Sequence, residues 1–208
     1  MTRPKTTGDI IEAGRAALET LPPSQNDLGT NMNYPTLPEL LDEYARALAY
    51  TDDLWRDLGE DEVHWRPNVE SSAIGWHLGH QAAVSHYMVR NLTAAEPSPD
   101  GELDSLMDSA TAERQRGDLP SVSRIADYRT AVAERVRFRV GQIDRGEVGA
   151  PVQLRRIAEN MMVAIVNHEY QHSKWIGETR SGEFSHDLPD LPLSEWLSVV
   201  DGYVLLGA

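Results

Sequence analysis

Two histidines stand four residues apart in Asn167-His168-Glu169-Tyr170-Gln171-His172. On a helix this spacing puts both imidazoles on one face, one turn apart, where they can close on one metal ion. Two protein ligands are too few for a tight site, so a third must come from another segment. Trp76-His77-Leu78-Gly79-His80 offers two candidates. The chain holds seven histidines, and four of them fall in these two short stretches. Imidazole nitrogen suits Zn²⁺, Ni²⁺ and Fe²⁺ alike, so the ligand type leaves the choice of divalent metal open. His-Glu-x-x-His is also the zinc protease motif, with the glutamate as general base, and Glu195 lies at a usable distance downstream for a third ligand. Against that reading, Asp187-Leu188-Pro189-Asp190-Leu191-Pro192 is poor helix, and no sheet edge is foreseen to bind a peptide.

The neighbours of these histidines carry open roles. Glu169 lies about 100° around the helix from His168. It could accept a hydrogen bond from a ligand imidazole, take a proton in catalysis, or form a surface salt bridge. His77, one turn before His80, could itself be the ligand, could hydrogen-bond to one, or could act in catalysis. Tyr87 lies two turns beyond His80 on the same face, either as a substrate-orienting hydroxyl or as a core residue. Trp76 and Trp175 fill the bundle, and Trp76 also counts among the substrate-binding candidates. Arg90 and Arg180 could hold a substrate carboxylate in a bidentate grip, or could be exposed helix-end arginines. His64 and His86 are read as surface residues.

Four long amphipathic segments must position these side chains. The first runs from about Leu37 to Leu58, with Thr36 and Glu39 as a capping box and Leu37, Leu40, Leu41, Tyr44, Leu48 and Leu54 at helical spacing. The second runs from about Ser72 to Leu92, capped by Ser71 or Ser72, with Gly75 and Gly79 allowing close approach of another helix. Asp104 to Arg114 reads as a short helix or a lid. The third helix runs from Ser121 or Ser123 to about Ile143. The fourth starts with Pro151 in its first turn, carries Leu154, Ile157, Met161, Ile165, His168, His172 and Trp175, and ends at Ser181-Gly182. Before them, Asp9 to Leu21 could form a short helix. After them comes an amphipathic stretch from Ser194 to Leu206. Strand signals are nearly absent, so the expected class is all-α: a four-helix bundle over residues 36–180, an N-terminal arm over 1–35, and a short C-terminal extension over 181–208 packing on the bundle.

Composition narrows the partners. The formal charge of −14 and the lack of a basic cluster argue against nucleic acid. No run reaches the roughly 18 apolar residues of a membrane span, and no signal peptide is visible, which leads us to expect a cytoplasmic protein with no membrane partner. With no cysteine in the chain, disulfides, thiolate metal sites and a cysteine nucleophile are excluded. Val199 to Leu206 could form a homodimer contact.

Trp65-Arg66-Pro67, Ser71-Ser72-Ala73-Ile74-Gly75-Trp76-His77-Leu78-Gly79-His80 and Asn167-His168-Glu169-x-x-His172 together resemble the DinB-like (YfiT-like) superfamily over residues 37–180. That resemblance implies a four-helix bundle holding a divalent metal through one histidine of the second helix and two of the last. Carried onto this chain, the ligands are His80, His168 and His172. Members include S-transferases that use mycothiol or bacillithiol, a thiol-dependent isomerase and many metal-dependent hydrolases. The implied activity is transfer of a low-molecular-weight thiol, as cosubstrate, to an electrophilic small-molecule substrate. The alternatives are a hydrolase or isomerase of specialised metabolism, or a non-catalytic metal- or ligand-binding bundle. One departure stands out: many relatives follow the last histidine with x-Gly-Gln, where this chain has Ser173-Lys174-Trp175.

Overall fold

The computed structural model describes residues 34–93 and 96–207. The helix expected over Asp9 to Leu21, and nearly all of the N-terminal arm, lie outside the described residues. Helix α1 spans Leu37–Trp55. Its start is set by Glu39, whose carboxylate accepts from the Thr36 main-chain N–H at 2.7 Å and from the Thr36 hydroxyl at 2.6 Å. Leu37, Leu40, Tyr44, Ala47, Thr51 and Leu54 form its buried stripe, alternating three- and four-residue steps. The helix stops short of the expected Leu58, and a separate short helix, α2, covers Glu60–His64.

Helix α3 spans Ile74–Leu92 and is buried all round from Ile74 to Ala82. A helix apolar on every side belongs in the middle of a fold, and this one packs against α5 and α6. Its N-cap is Ala73, not Ser71 or Ser72. The Ser72 hydroxyl is diverted to Glu113, 2.6 Å away. The two glycines serve side chains rather than a neighbouring helix backbone. A Cβ on Gly79 would sit 2.5 Å from Met107 Cε, and one on Gly75 would meet Val63 and Leu119. Helix α4, Gly101–Leu106, and a 3₁₀ turn, Glu113–Gln115, fill the connection that leads to α5.

Helix α5 spans Val122–Asp144, capped by Ser121 through its hydroxyl, and buries Ile125, Tyr128, Val132, Val136 and Val140 at three- and four-residue steps. Helix α6 spans Pro151–Phe184 and pairs chiefly with α1. Its buried face is rotated from the expected one: Ile157 is exposed, while Ala158, Met162, Val166, Glu169 and Ser173 are buried. It also passes straight through Ser181-Gly182. Tertiary contacts carry it on, with Arg180 paired to Asp57 at 2.8 Å and Phe184 edge-on to Trp65 at 5.4 Å. Ser185, in the left-handed region at φ 57°, closes it.

The tail corrects a second expectation. Leu197–Val200 and Tyr203–Leu206 form an antiparallel hairpin, β1 and β2, around Asp201-Gly202. Both turn residues have positive φ, the geometry that matches the twist of a two-residue hairpin. Strand β2 lies on α6, where Leu206 N–H donates to Asn167 Oδ1 at 2.7 Å. Val199 and Val200 of β1 are exposed. Among the described residues no helix is long and apolar enough to cross a membrane.

Candidate metal centre

His80 on α3 and His168 and His172 on α6 meet between the two helices. One ring nitrogen from each lies within 4.8 Å of the others. In this group the third nitrogen comes from His80 and not from His77. Glu195 is exposed in the tail, which removes the basis of the protease reading.

Two of the three rings are oriented from behind. His80 Nδ1 lies 2.8 Å from the Met107 carbonyl. A carbonyl only accepts, so the proton is on Nδ1 and Nε2 is free for an ion. His172 Nδ1 lies 2.8 Å from His77 Nδ1. If His172 offers Nε2 to an ion, its Nδ1 carries the proton and His77 Nδ1 accepts it, which leaves the His77 proton on Nε2. His77 thus stands behind a candidate ligand, one turn from His80.

The walls are aromatic. The Trp76 indole stacks on His80 at 4.5 Å and 12°, and Trp175 meets His172 edge-on at 4.8 Å. Burial in this setting favours neutral imidazole. It pulls His77 down to about 3 and His168 down to about 4, with the positive potential of a neighbouring imidazole adding to the effect. His172 and His80 are lowered for the same main reason. Neutral nitrogens are what a divalent ion needs, so the donor set fits a three-histidine metal site.

Glu169 faces elsewhere. Its carboxylate accepts from Arg129 Nη2 at 2.9 Å and from the Thr51 hydroxyl at 2.8 Å, and it is 1% exposed. Arg129 also donates to the Leu78 carbonyl and to Gln81 Oε1, both at 3.0 Å. Among the three roles considered for Glu169, the geometry gives a fourth: a buried ion pair that ties α6 to α5, α3 and α1. Both partners lie on helix faces otherwise apolar, Arg129 one turn after Ile125 and Glu169 one turn after Ile165. A lone charge of each sign in such positions was the available signal for the pair.

Tyr87 and Arg90 line a cavity of about 420 Å³ together with His80 and Met107. Tyr87 is 62% exposed, at the rim rather than in the core. Arg90 is exposed and makes no ion pair among the described residues. His86, expected at the surface, is 1% exposed in the wall of the same cavity. Arg180 is likewise buried, held by Asp57 and not free for a substrate. Trp76 instead lines a different cavity, with Arg116 stacked 3.7 Å over its ring. Neither Met107 nor Arg116 carried any pattern that would have singled it out.

No curated protein sequence matches the chain. The family model described as the DinB superfamily does, over residues 43–176, a span that holds α3, the candidate ligands and all but the last turns of α6. On that match, covering more than half of its length, the chain belongs to the DinB superfamily.

Proposed function

We propose that this protein is a metal-dependent enzyme that joins a low-molecular-weight thiol to an electrophilic small molecule. His80, His168 and His172 would hold a divalent ion, which when bound would supply Lewis acidity that favours the thiolate form of a thiol. The observation that carries the reading is that, among the described residues, the group of ligand atoms contains no carboxylate, while Asp108, in the wall of the cavity beside His80, is exposed and accepts from the Ala110 N–H. The nearest acid in sequence, Glu169, is committed to Arg129. Attack by water would call for a general base beside the reacting atoms. A thiol made acidic at the site needs none, and its proton passes to solvent. The chain itself has no cysteine, so the sulfur comes from outside.

The protein's own groups then orient and shield. The Met107 carbonyl and His77 fix the rings of His80 and His172. Trp76 and Trp175 keep bulk water from the cluster. The cavity beside His80 admits the electrophile, with Tyr87 and Arg90 at its edge. The sulfur forms the new C–S bond as the leaving group departs with its electron pair.

The test combines protein loaded in turn with zinc, nickel or iron, a panel of small thiols and chlorobimane as electrophile, followed by conjugate fluorescence. Thiol-dependent conjugation above the uncatalysed rate, lost in His80→Ala with the helical circular dichroism retained, is expected. Cleavage of ester or amide substrates without thiol would overturn the reading in favour of hydrolysis. Metal binding without turnover of either kind would favour a binding bundle.

A further inference from the structure

Seven buried side-chain nitrogen and oxygen atoms lack a hydrogen-bond partner among the described residues. Three of them, His64 Nε2, Trp76 Nε1 and Arg116 Nε, belong to residues lining one cavity of about 250 Å³. A buried donor left unpaired costs on the order of 1–3 kcal/mol, and Trp76 Nε1 and Arg116 Nε are two such donors on residues of this one hollow. Trp76 is 6% exposed, and so is the Arg116 side chain.

The lining carries two guanidinium groups and two carboxylates, and one ion pair forms among them. Arg116 pairs with Glu113, and its Nη1 also donates to the Ser72 hydroxyl at 3.1 Å. The other Glu113 oxygen accepts from that hydroxyl, so this carboxylate is fully engaged. Arg66 donates only to the Glu113 main-chain carbonyl, at 3.1 Å, and has no carboxylate among the described residues. Arg66 and Arg116 are close enough that the charge of Arg66, after burial, helps to lower the pKa of Arg116. Asp118 also lines the cavity, but it is exposed and bonds to neither guanidinium. The Glu113 carboxylate thus pairs with Arg116 alone and leaves Arg66 without one among the described residues, in a chain whose formal charge is −14.

We propose that this cavity binds a small oxyanion, in the first place a carboxylate, at a site separate from the three imidazoles. Arg66 is its free bidentate donor. Trp76 forms the wall between the two sites, since the same indole contacts Arg116 and stacks on His80. The volume suits a short-chain acid or one arm of a larger molecule. The site stands whether or not the chemistry at the imidazoles uses a thiol.

Succinate and inorganic phosphate, titrated separately into the ¹⁵N-labelled full-length protein, provide the test. The readout is the indole N–H signal of Trp76, assigned by its absence in Trp76→Phe. A saturable shift with succinate, in metal-loaded and chelator-stripped protein alike, is expected. It should need about tenfold more ligand in Arg66→Gln and far less extra in Arg66→Lys. Arg66 makes a single main-chain bond, so both variants should keep the fold. Three results would overturn the proposal: no saturable shift with either anion up to about 100 mM, wild-type affinity in folded Arg66→Gln, or a shift that vanishes when metal is stripped. Saturation by phosphate alone would retain the oxyanion site and reject the carboxylate as its occupant.

Discussion

Replacing Glu169 with alanine strips a buried guanidinium of its nearest carboxylate. Arg129 is 5% exposed and would keep only the Leu78 carbonyl, Gln81 Oε1 and a more distant Asp52 oxygen at 3.9 Å. Breaking a buried pair by removing one partner costs about 3–5 kcal/mol. Asp52 can move closer and recover part of this, so about 3 kcal/mol is the working value. The Thr51 hydroxyl adds little, because the Ala47 carbonyl and the Ser173 hydroxyl remain within reach. Against a total stability of roughly 5–15 kcal/mol, this is a large share. Glu169→Gln keeps volume and one neutral bond, and should cost about 1.5–3 kcal/mol. Urea denaturation of metal-stripped protein, followed by far-ultraviolet circular dichroism, measures both. Combining Glu169→Leu with Arg129→Met should cost less than the two single changes added together, since neither charge is then left alone. The reasoning fails if Glu169→Gln holds its stability within about 0.5 kcal/mol while turnover collapses, for then the carboxylate acts in the chemistry.

Three further outcomes are expected. His77→Ala should weaken metal binding about 10–100-fold while leaving stoichiometry intact, whereas His80→Ala, His168→Ala and His172→Ala should lose the metal; competition with a chromophoric chelator separates the two. Gly79→Ala should displace Met107, whose Cε, Sδ and Cγ would lie 2.5, 2.6 and 2.8 Å from the new carbon. It should destabilise by about 1–3 kcal/mol and loosen metal binding too, because the Met107 carbonyl orients His80; unchanged metal affinity would separate packing from orientation. The metal-free protein should lose stability as pH falls. His168, held down to about 4 by burial, binds fewer protons folded than unfolded between that value and its ordinary range. Stability therefore rises with pH across that window, and moving from pH 7.5 to 5 should cost about 2 kcal/mol through His168 alone. Denaturation of wild type and His168→Gln at both pH values checks this, and equal pH slopes for the two would refute it.

The helices were legible in the chain wherever one stripe faces one neighbour. Helices α1 and α5 are of this kind, each with a polar back, and most of their buried apolar positions follow from period, although Leu41 and Leu48 are only half-buried. Helix α6 is not. It packs on α1 with one face, presents His168 and His172 to α3 with another, and buries Glu169 and Ser173 between them. A window that seeks one apolar arc averages over these faces, so Ile157 reads as inward and Glu169 keeps several readings. The histidine cluster was legible because its residue types are rare in this chain. The hairpin does carry a sequence signal, Asp201-Gly202 between Leu197–Val200 and Tyr203–Leu206, though it is short beside the helical stripes. The Met107 carbonyl had none, because main-chain groups in a connection leave no mark on residue type.

Successive residues of α6 divide the labour of the site. His168 and Glu169 differ by one position and about 100°, so one turns to the imidazole cluster and the other to Arg129. His172 and Ser173 repeat the division one turn later, with Ser173 bonding to Thr51 at 2.7 Å. Gln81 on α3 closes the arrangement, donating to the Glu169 carbonyl at 2.9 Å while its Oε1 accepts from Arg129. The turn of α6 that carries the candidate ligands is therefore clamped from behind by the ion-pair network, on the side away from the imidazole cluster. Rigid placement of ligand side chains is what a three-histidine site needs, and a core of aliphatic side chains alone would not fix the rotation of α6 about its axis. A hydrogen-bonded ion pair does fix it, because its geometry tolerates little rotation before the buried charges separate. Glu169 thus serves the centre without facing it, and the conservative Glu169→Gln should loosen metal affinity by a smaller factor than His77→Ala while lowering stability by more.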